Sequence, residues 1–158
     1  MIALISIKTL NEKYGVDTNI EDNYILPSIQ KCQDLLIYNI LCKEKYNQLI
    51  LDVDNDNVSP EDDTLIKDYI QPVIAYYVKS EIVQSTTYKM KNVGLDGVEK
   101  ATFDELIRLS KKYMIDSEAY QQRLREYLCE IDESQKPDTT YKTGLFLDKV
   151  YGCVNCNG

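Results

Sequence analysis

From Leu106 to Ile131 the chain keeps a four–three spacing through Leu106, Ser110, Tyr113, Ser117, Tyr120, Leu124, Tyr127 and Ile131. On an α-helix, residues three and four apart share a face, so the spacing predicts one long helix from Phe103 to about Ile131 with a continuous seam. Such a seam suits a second helix crossing at a shallow angle, and this commits the chain to helix-on-helix packing. Serine and tyrosine dominate it, which makes it softer than a leucine zipper. We read it as an intramolecular core stripe, with a coiled coil between chains as the alternative.

The partner helices are legible upstream. Ser59-Pro60-Glu61-Asp62 marks a helix start, with proline at the first helical position and acidic residues in the first turn. From Pro60 to Met90, Leu65, Ile66, Tyr69, Ile70, Val73, Ile74, Tyr77 and Val78 form a wide apolar stripe, as a central helix requires. Pro72 predicts a kink within it. An earlier element, about Ile20 to Leu51, has Ile25, Ile29, Cys32, Leu36 and Ile40 on its apolar face, flanked by Leu26, Ile37 and Leu41. Pro27 should break or kink its first turns, and a bend near Cys42 is expected if Tyr46 to Leu51 is a separate turn. Thr9 with Glu12, Thr18 with Glu21 and Thr102 with Glu105 read as capping boxes. Residues 2–7 read as a short strand or extended arm, followed by a brief helix ending near Gly15.

Two segments lack a place in this bundle. Residues 92–101 join two long helices, with Gly94 and Gly97 for freedom and Val93, Leu95 and Val98 as apolar anchors. Beyond Ile131 the helical period fades, and Pro137 blocks continuation. Yet Tyr141, Leu145, Phe146, Leu147, Val150 and Tyr151 form a sizeable apolar set, which a purely solvated tail has no use for. It folds back on its own helices or docks on a neighbour. The expected fold is therefore mainly α: a bundle of three to four long helices with a short N-terminal arm and an extended C-terminal tail. Residues 1–131 form the helical domain and residues 132–158 an assembly arm.

At 158 residues the chain makes about one domain, long enough to bury a core without staples. Its net charge of −8 disfavours sequence-independent binding to nucleic acid or anionic membranes. It has no histidine, which removes Ser-His-Asp and Cys-His nucleophiles and His-ligated metals. Cys32, Cys42 and Cys129 sit in helix-like segments, where a free thiol packs as a small hydrophobe. Cys153 and Cys156 have Cys-x-x-Cys spacing but no second pair to complete a zinc site. The segment 52–63 places Asp52, Asp54 and Asp56 as a calcium loop would, but Asn57, Pro60 and Asp63 stand where glycine, a ligand and a bidentate glutamate are needed. We read it as a solvated acidic loop. No apolar run of 18 residues exists and the first residues lack signal-peptide character, so an intracellular protein is expected.

The order of elements resembles a known family. A short arm precedes Ile29-x-x-Cys32-x-x-x-Leu36-Ile37-x-x-x-Leu41 and Tyr46-x-x-Leu49; a long Ile/Val/Tyr-rich helix, a loop, another long helix and an apolar tail follow. This is similar to the head–tail connector (adaptor) proteins of tailed bacteriophages, particularly small ring proteins of crAss-like phages, over about residues 1–131. The resemblance implies a virion protein, assembled in the host bacterial cytoplasm, that forms a homo-oligomeric and dodecameric ring beneath the portal protein. Such a ring extends the DNA channel and receives the next tail component; it is not an enzyme, needs no cofactor and touches no membrane. An acidic channel wall suits DNA that must pass without specific binding. The loop and tail residues named above are then its protein contacts. A small acidic regulatory or DNA-mimic protein is the alternative, although only residues 43–63 are densely acidic, with seven acids against two bases. A carboxylate-pair enzyme is weaker, since no acidic pair sits in an apolar setting.

Overall fold

In the computed structural model the backbone is described for residues 2–92 and 100–135, and side chains for 2–85 and 103–131. These residues are almost wholly helical, and no strand occurs among them. Helix α1 spans Ile7–Tyr14, α2 Asp22–Cys32, α3 Tyr38–Asp54, α4 Pro60–Thr64, α5 Gln71–Asn92 and α6 Lys100–Gln135. Two π-helical segments, Gln33–Ile37 and Leu65–Ile70, join α2 to α3 and α4 to α5 without a break. The mainly α bundle is as expected.

Helix α5 is central. Val73, Ile74 and Ala75 are consecutive and all fully buried, which requires neighbours on several sides. It packs against α1, α2 and, most extensively, α6. Pro72 cannot donate to Asp68, and its ring would crowd that carbonyl in a regular α-helix. The π-segment ends at Ile70, two residues before it, with the Gln71 N–H bonding to the Ile66 carbonyl five residues back. The expected disturbance at Pro72 is thus a widened turn. Pro27, by contrast, lies inside α2 without ending it.

Helix starts divide into one hit and three corrections. Ser59 caps α4 by accepting the Asp62 N–H at 3.1 Å, with Pro60 at the first helical position. Ser59→Ala should therefore cost about 1 kcal/mol, read as a lower urea midpoint with an unchanged denaturant slope. Thr9 does not cap α1: Ser6 does, taking the Thr9 N–H at 3.0 Å. Thr18 does not cap α2 either. Asp17 captures the Asn19 N–H, and α2 starts at Asp22 behind Glu21, which makes no side-chain cap. Helix α6 begins at Lys100, two residues ahead of Thr102, and runs four residues past Ile131. Gly15, in left-handed geometry at φ 65°, closes α1 where the sequence placed its end. At Cys42, φ 63° and ψ 160° interrupt α3, so the expected bend is present. Cys32 is buried and free, while Cys42 is disulfide-bonded and not the free packing thiol expected.

Residues 2–6 form an extended arm and not a strand. With no strand among the described residues to pair with, it takes backbone partners from two glutamine amides. The buried Gln33 accepts the Leu4 N–H at 2.9 Å and donates to the Ile2 carbonyl at 3.2 Å, while Gln71 donates to the Leu4 carbonyl at 3.3 Å. Gln33 is held in turn by the Tyr46 hydroxyl. This clasp seats Leu4 and Ile5 in the core.

Candidate functional site

The contact residues expected from sequence are Val93, Gly94, Leu95, Gly97 and Val98, with Tyr141, Leu145, Phe146, Leu147, Val150 and Tyr151 of the tail. All lie outside the described residues, as do Cys153 and Cys156. Their flanks are defined. Asn92 belongs to α5, and Lys100 and Ala101 belong to α6, so the connection is shorter than the expected 92–101.

The α5–α6 hairpin is held by the four–three seam, which is intramolecular. Ser110 and Ser80 face each other at 3.1 Å, and Ser117 donates to the Val73 carbonyl at 3.1 Å. Tyr69 stacks on Tyr127 at 4.0 Å between centroids, and Tyr76 on Tyr120 at 5.3 Å. These pairs run antiparallel, rising along α6 as they descend along α5. Small serines let the backbones approach, and the tyrosines between them fill the flanks. Lys79 lies 5.5 Å from the Tyr76 ring and 5.3 Å from the Tyr113 ring, and Arg123 5.4 Å from the Tyr120 ring. Burial pulls the Lys79 ammonium below its ordinary value, against the opposing pull of Asp116. These contacts hold two helices together, as cation–π pairs do.

Burial, with Glu81 nearby, pushes the Cys32 thiol well above its ordinary value, so the thiolate is suppressed. Lys31 is held protonated chiefly by its hydrogen bond to Glu81. In the acidic loop, Asp52 accepts from Gln48, Asp62 pairs with Lys45 and Asp63 with Lys67. Among the described residues no three acidic or cysteine side chains converge as a metal site would require.

Tyr14 shows a different strain. Its hydroxyl is buried without a hydrogen-bond partner. Burial, reinforced by Tyr120, Asp68 and Tyr76, pushes its pKa up to about 12 from an ordinary 10.0. The folded state thus keeps the phenol protonated when the unfolded chain would ionise. Its contribution is complete below pH 10 and is lost as pH climbs towards about 12. Tyr14→Phe should leave stability at pH 7 unchanged or raised, because an unsatisfied polar group goes. It should also flatten part of the alkaline decline, with Tyr76 and Tyr77, both raised by burial, retaining the rest. Melting temperatures of both proteins from pH 7 to pH 12 test this.

Two outward surfaces were not signalled by the seam. On α6, Ile115 is 63% exposed and Leu109 37%, with Arg108, Lys111 and Lys112 and the acids Asp104, Glu105 and Glu118 exposed around them. On α3, Leu51 is 54% exposed, with Glu44 seven residues before it and Asp54 three after it on the same face. The Lys45–Asp62 pair brings α4 and Glu61 beside α3 and completes an acidic corner. The signal was present as off-seam aliphatics set among charged residues.

No described helix is long and apolar enough to cross a membrane. No curated protein and no solved structure matches the chain. Residues 37–143 match a family profile, from the last residue of the π-segment before α3 through the whole α5–α6 hairpin. That match takes in 107 of the 158 residues, and the chain belongs to the family of unknown function DUF6712.

Proposed function

We propose that this protein is a non-catalytic, ring-forming connector at the head–tail junction of a tailed bacteriophage. It docks on the portal protein, extends the DNA channel and carries the next tail component, in a ring assembled in the host cytoplasm. One observation carries the reading. The α5–α6 hairpin closes its own seam and still presents an outer α6 face with exposed Leu109 and Ile115 among charges of both signs. A solitary bundle gains nothing from such a face, whereas a subunit packed between neighbours does. The order of arm, bent helix, central helix and long return helix agrees with the connector resemblance.

The test mixes purified protein with its portal protein and follows the mixture by light scattering and electron microscopy. A ring of copies seated on the portal is the expected result. A protein that stays monomeric and joins neither portal nor tail components overturns the proposal. The loop residues 93–98 and the apolar set from Tyr141 to Tyr151 are the proposed contacts to neighbours. Removing residues 136–158, beyond the end of α6, should leave a cooperatively melting helical protein that no longer enters the ring. Loss of helical content by circular dichroism would instead make the tail part of the core.

A further inference from the structure

We propose that the C-terminal tail is stapled to its own bundle by a disulfide from Cys42, at the bend of α3, to Cys153 or Cys156. The inference goes beyond the connector reading and does not rest on it. The cysteine inventory carries it. The chain has five cysteines. Cys42 is disulfide-bonded, whereas Cys32 and Cys129 are thiols. A disulfide within one chain therefore leaves only the Cys153-Val-Asn-Cys156 pair to supply the other sulfur. The bond forms when two thiols give up two protons and two electrons to a small-molecule disulfide, which leaves as two thiols.

The path of the chain allows the closure. Tyr69 stacks on Tyr127, and from that level α4 and the end of α6 run the same way along the bundle. Asp62 lies seven residues before Tyr69 and Gln135 eight after Tyr127, so both stand roughly 10–12 Å beyond the stack. Lys45, three residues after Cys42, pairs with Asp62. The bend of α3 and the end of α6 therefore share one end of the bundle. From Gln135 to Cys153 there are 18 residues, which span up to about 60 Å when extended.

Cys42 also has an apolar seat beside it. Leu35 is 55% exposed, Asn39 on the next turn donates to the Leu35 carbonyl at 2.6 Å, and Cys42 lies three residues beyond. These residues follow one another along one face. Val150, Tyr151 and Val154 flank Cys153 within three residues, so a staple at Cys42 brings an apolar strip to Leu35. The staple holds the end of the tail and leaves Tyr141, Leu145 and Phe146 on the loop between, within reach of a neighbour.

The test is a peptide map of the full chain. Purified protein is equilibrated with oxidised and reduced glutathione, unfolded in an alkylating agent and digested with trypsin. Peptide 32–43 should be found linked to peptide 150–158, with Cys32 alkylated. The link should persist in Cys32→Ser and in Cys129→Ser, and be lost in Cys42→Ser. Wild-type protein under oxidising glutathione with Cys42 alkylated, or with Cys42 joined to Cys32, to Cys129 or to a second chain at doubled mass, overturns the staple. Should Cys42→Ser fail to fold, the variant with both Cys153→Ser and Cys156→Ser must leave Cys42 alkylated, and a disulfide at Cys42 in that variant overturns the staple. Leu35→Lys tests the seat. It should keep the bond but require a roughly fivefold higher ratio of oxidised to reduced glutathione for half-formation, because the apolar contact that favours closure is gone. An unchanged ratio would overturn the docking of the tail on Leu35.

Discussion

Ser117→Leu should lower the unfolding free energy by about 3 kcal/mol, at the upper end of what overpacking a closed core costs. Ser117 is fully buried where α6 crosses Val73, and its hydroxyl donates to the Val73 carbonyl. A leucine there must push α6 from α5, and the stacked pairs Tyr76–Tyr120 and Tyr69–Tyr127 on either side lose their contact with it. Ser117→Ala is the control. It removes one hydrogen bond while keeping the close approach, and should cost about 1 kcal/mol or less. Urea unfolding of the two variants separates size from hydrogen bonding. If leucine were as mild as alanine, the seam would be looser than its geometry indicates.

Gln33→Leu should cost about 2–3 kcal/mol and release the N-terminal arm. The substitution nearly conserves volume but leaves the buried Leu4 N–H without its acceptor, and a buried donor left unpaired costs the full loss of its hydration. The Ile2 carbonyl and the Tyr46 hydroxyl lose their donor as well. Hydrogen exchange at the Leu4 amide should rise by orders of magnitude more than exchange in α5. Gln71→Leu, which strips only the Leu4 carbonyl, should be milder. A Leu4 amide that stays protected in Gln33→Leu would show that the arm is held by Leu4 and Ile5 packing alone.

The long-range plan was legible where the period stayed regular. Ser110, Ser117 and Leu124 are buried as the seam required, and the hairpin pairs it with α5. The plan slipped where the period changed. A 3.6-residue grid carries the face of α2 from Cys32 to Leu36, but Ile37 is the fully buried residue and Leu36 only half-buried. The π-segment Gln33–Ile37 accounts for this, with the Tyr38 N–H reaching five residues back to Gln33. Capping was misread for a related reason: several side chains competed for each helix start. Ser6 lies nearer the orphan N–H groups of α1 than Thr9, and Asp17 diverted Asn19 into a local turn before Thr18 could act. The clasp around Leu4 was invisible because a buried glutamine leaves no periodic trace. Of the site, the sequence named residues in the loop and tail, while the apolar residues the structure exposes include Ile115, Leu35 and Leu51.

The π-segment Leu65–Ile70 sets a rotational phase between two halves of one continuous helix. A residue on an α-helix turns by about 100°, and a π-turn holds roughly one residue more than an α-turn. Deleting one residue within 65–70 would thus leave a helix of nearly the same length. It would, however, swing α4 by about a quarter turn against α5. The Lys45–Asp62 pair would lose its alignment, and the surface around Glu61 would face another direction. The orientation of the acidic corner is therefore encoded by chain length as much as by residue identity.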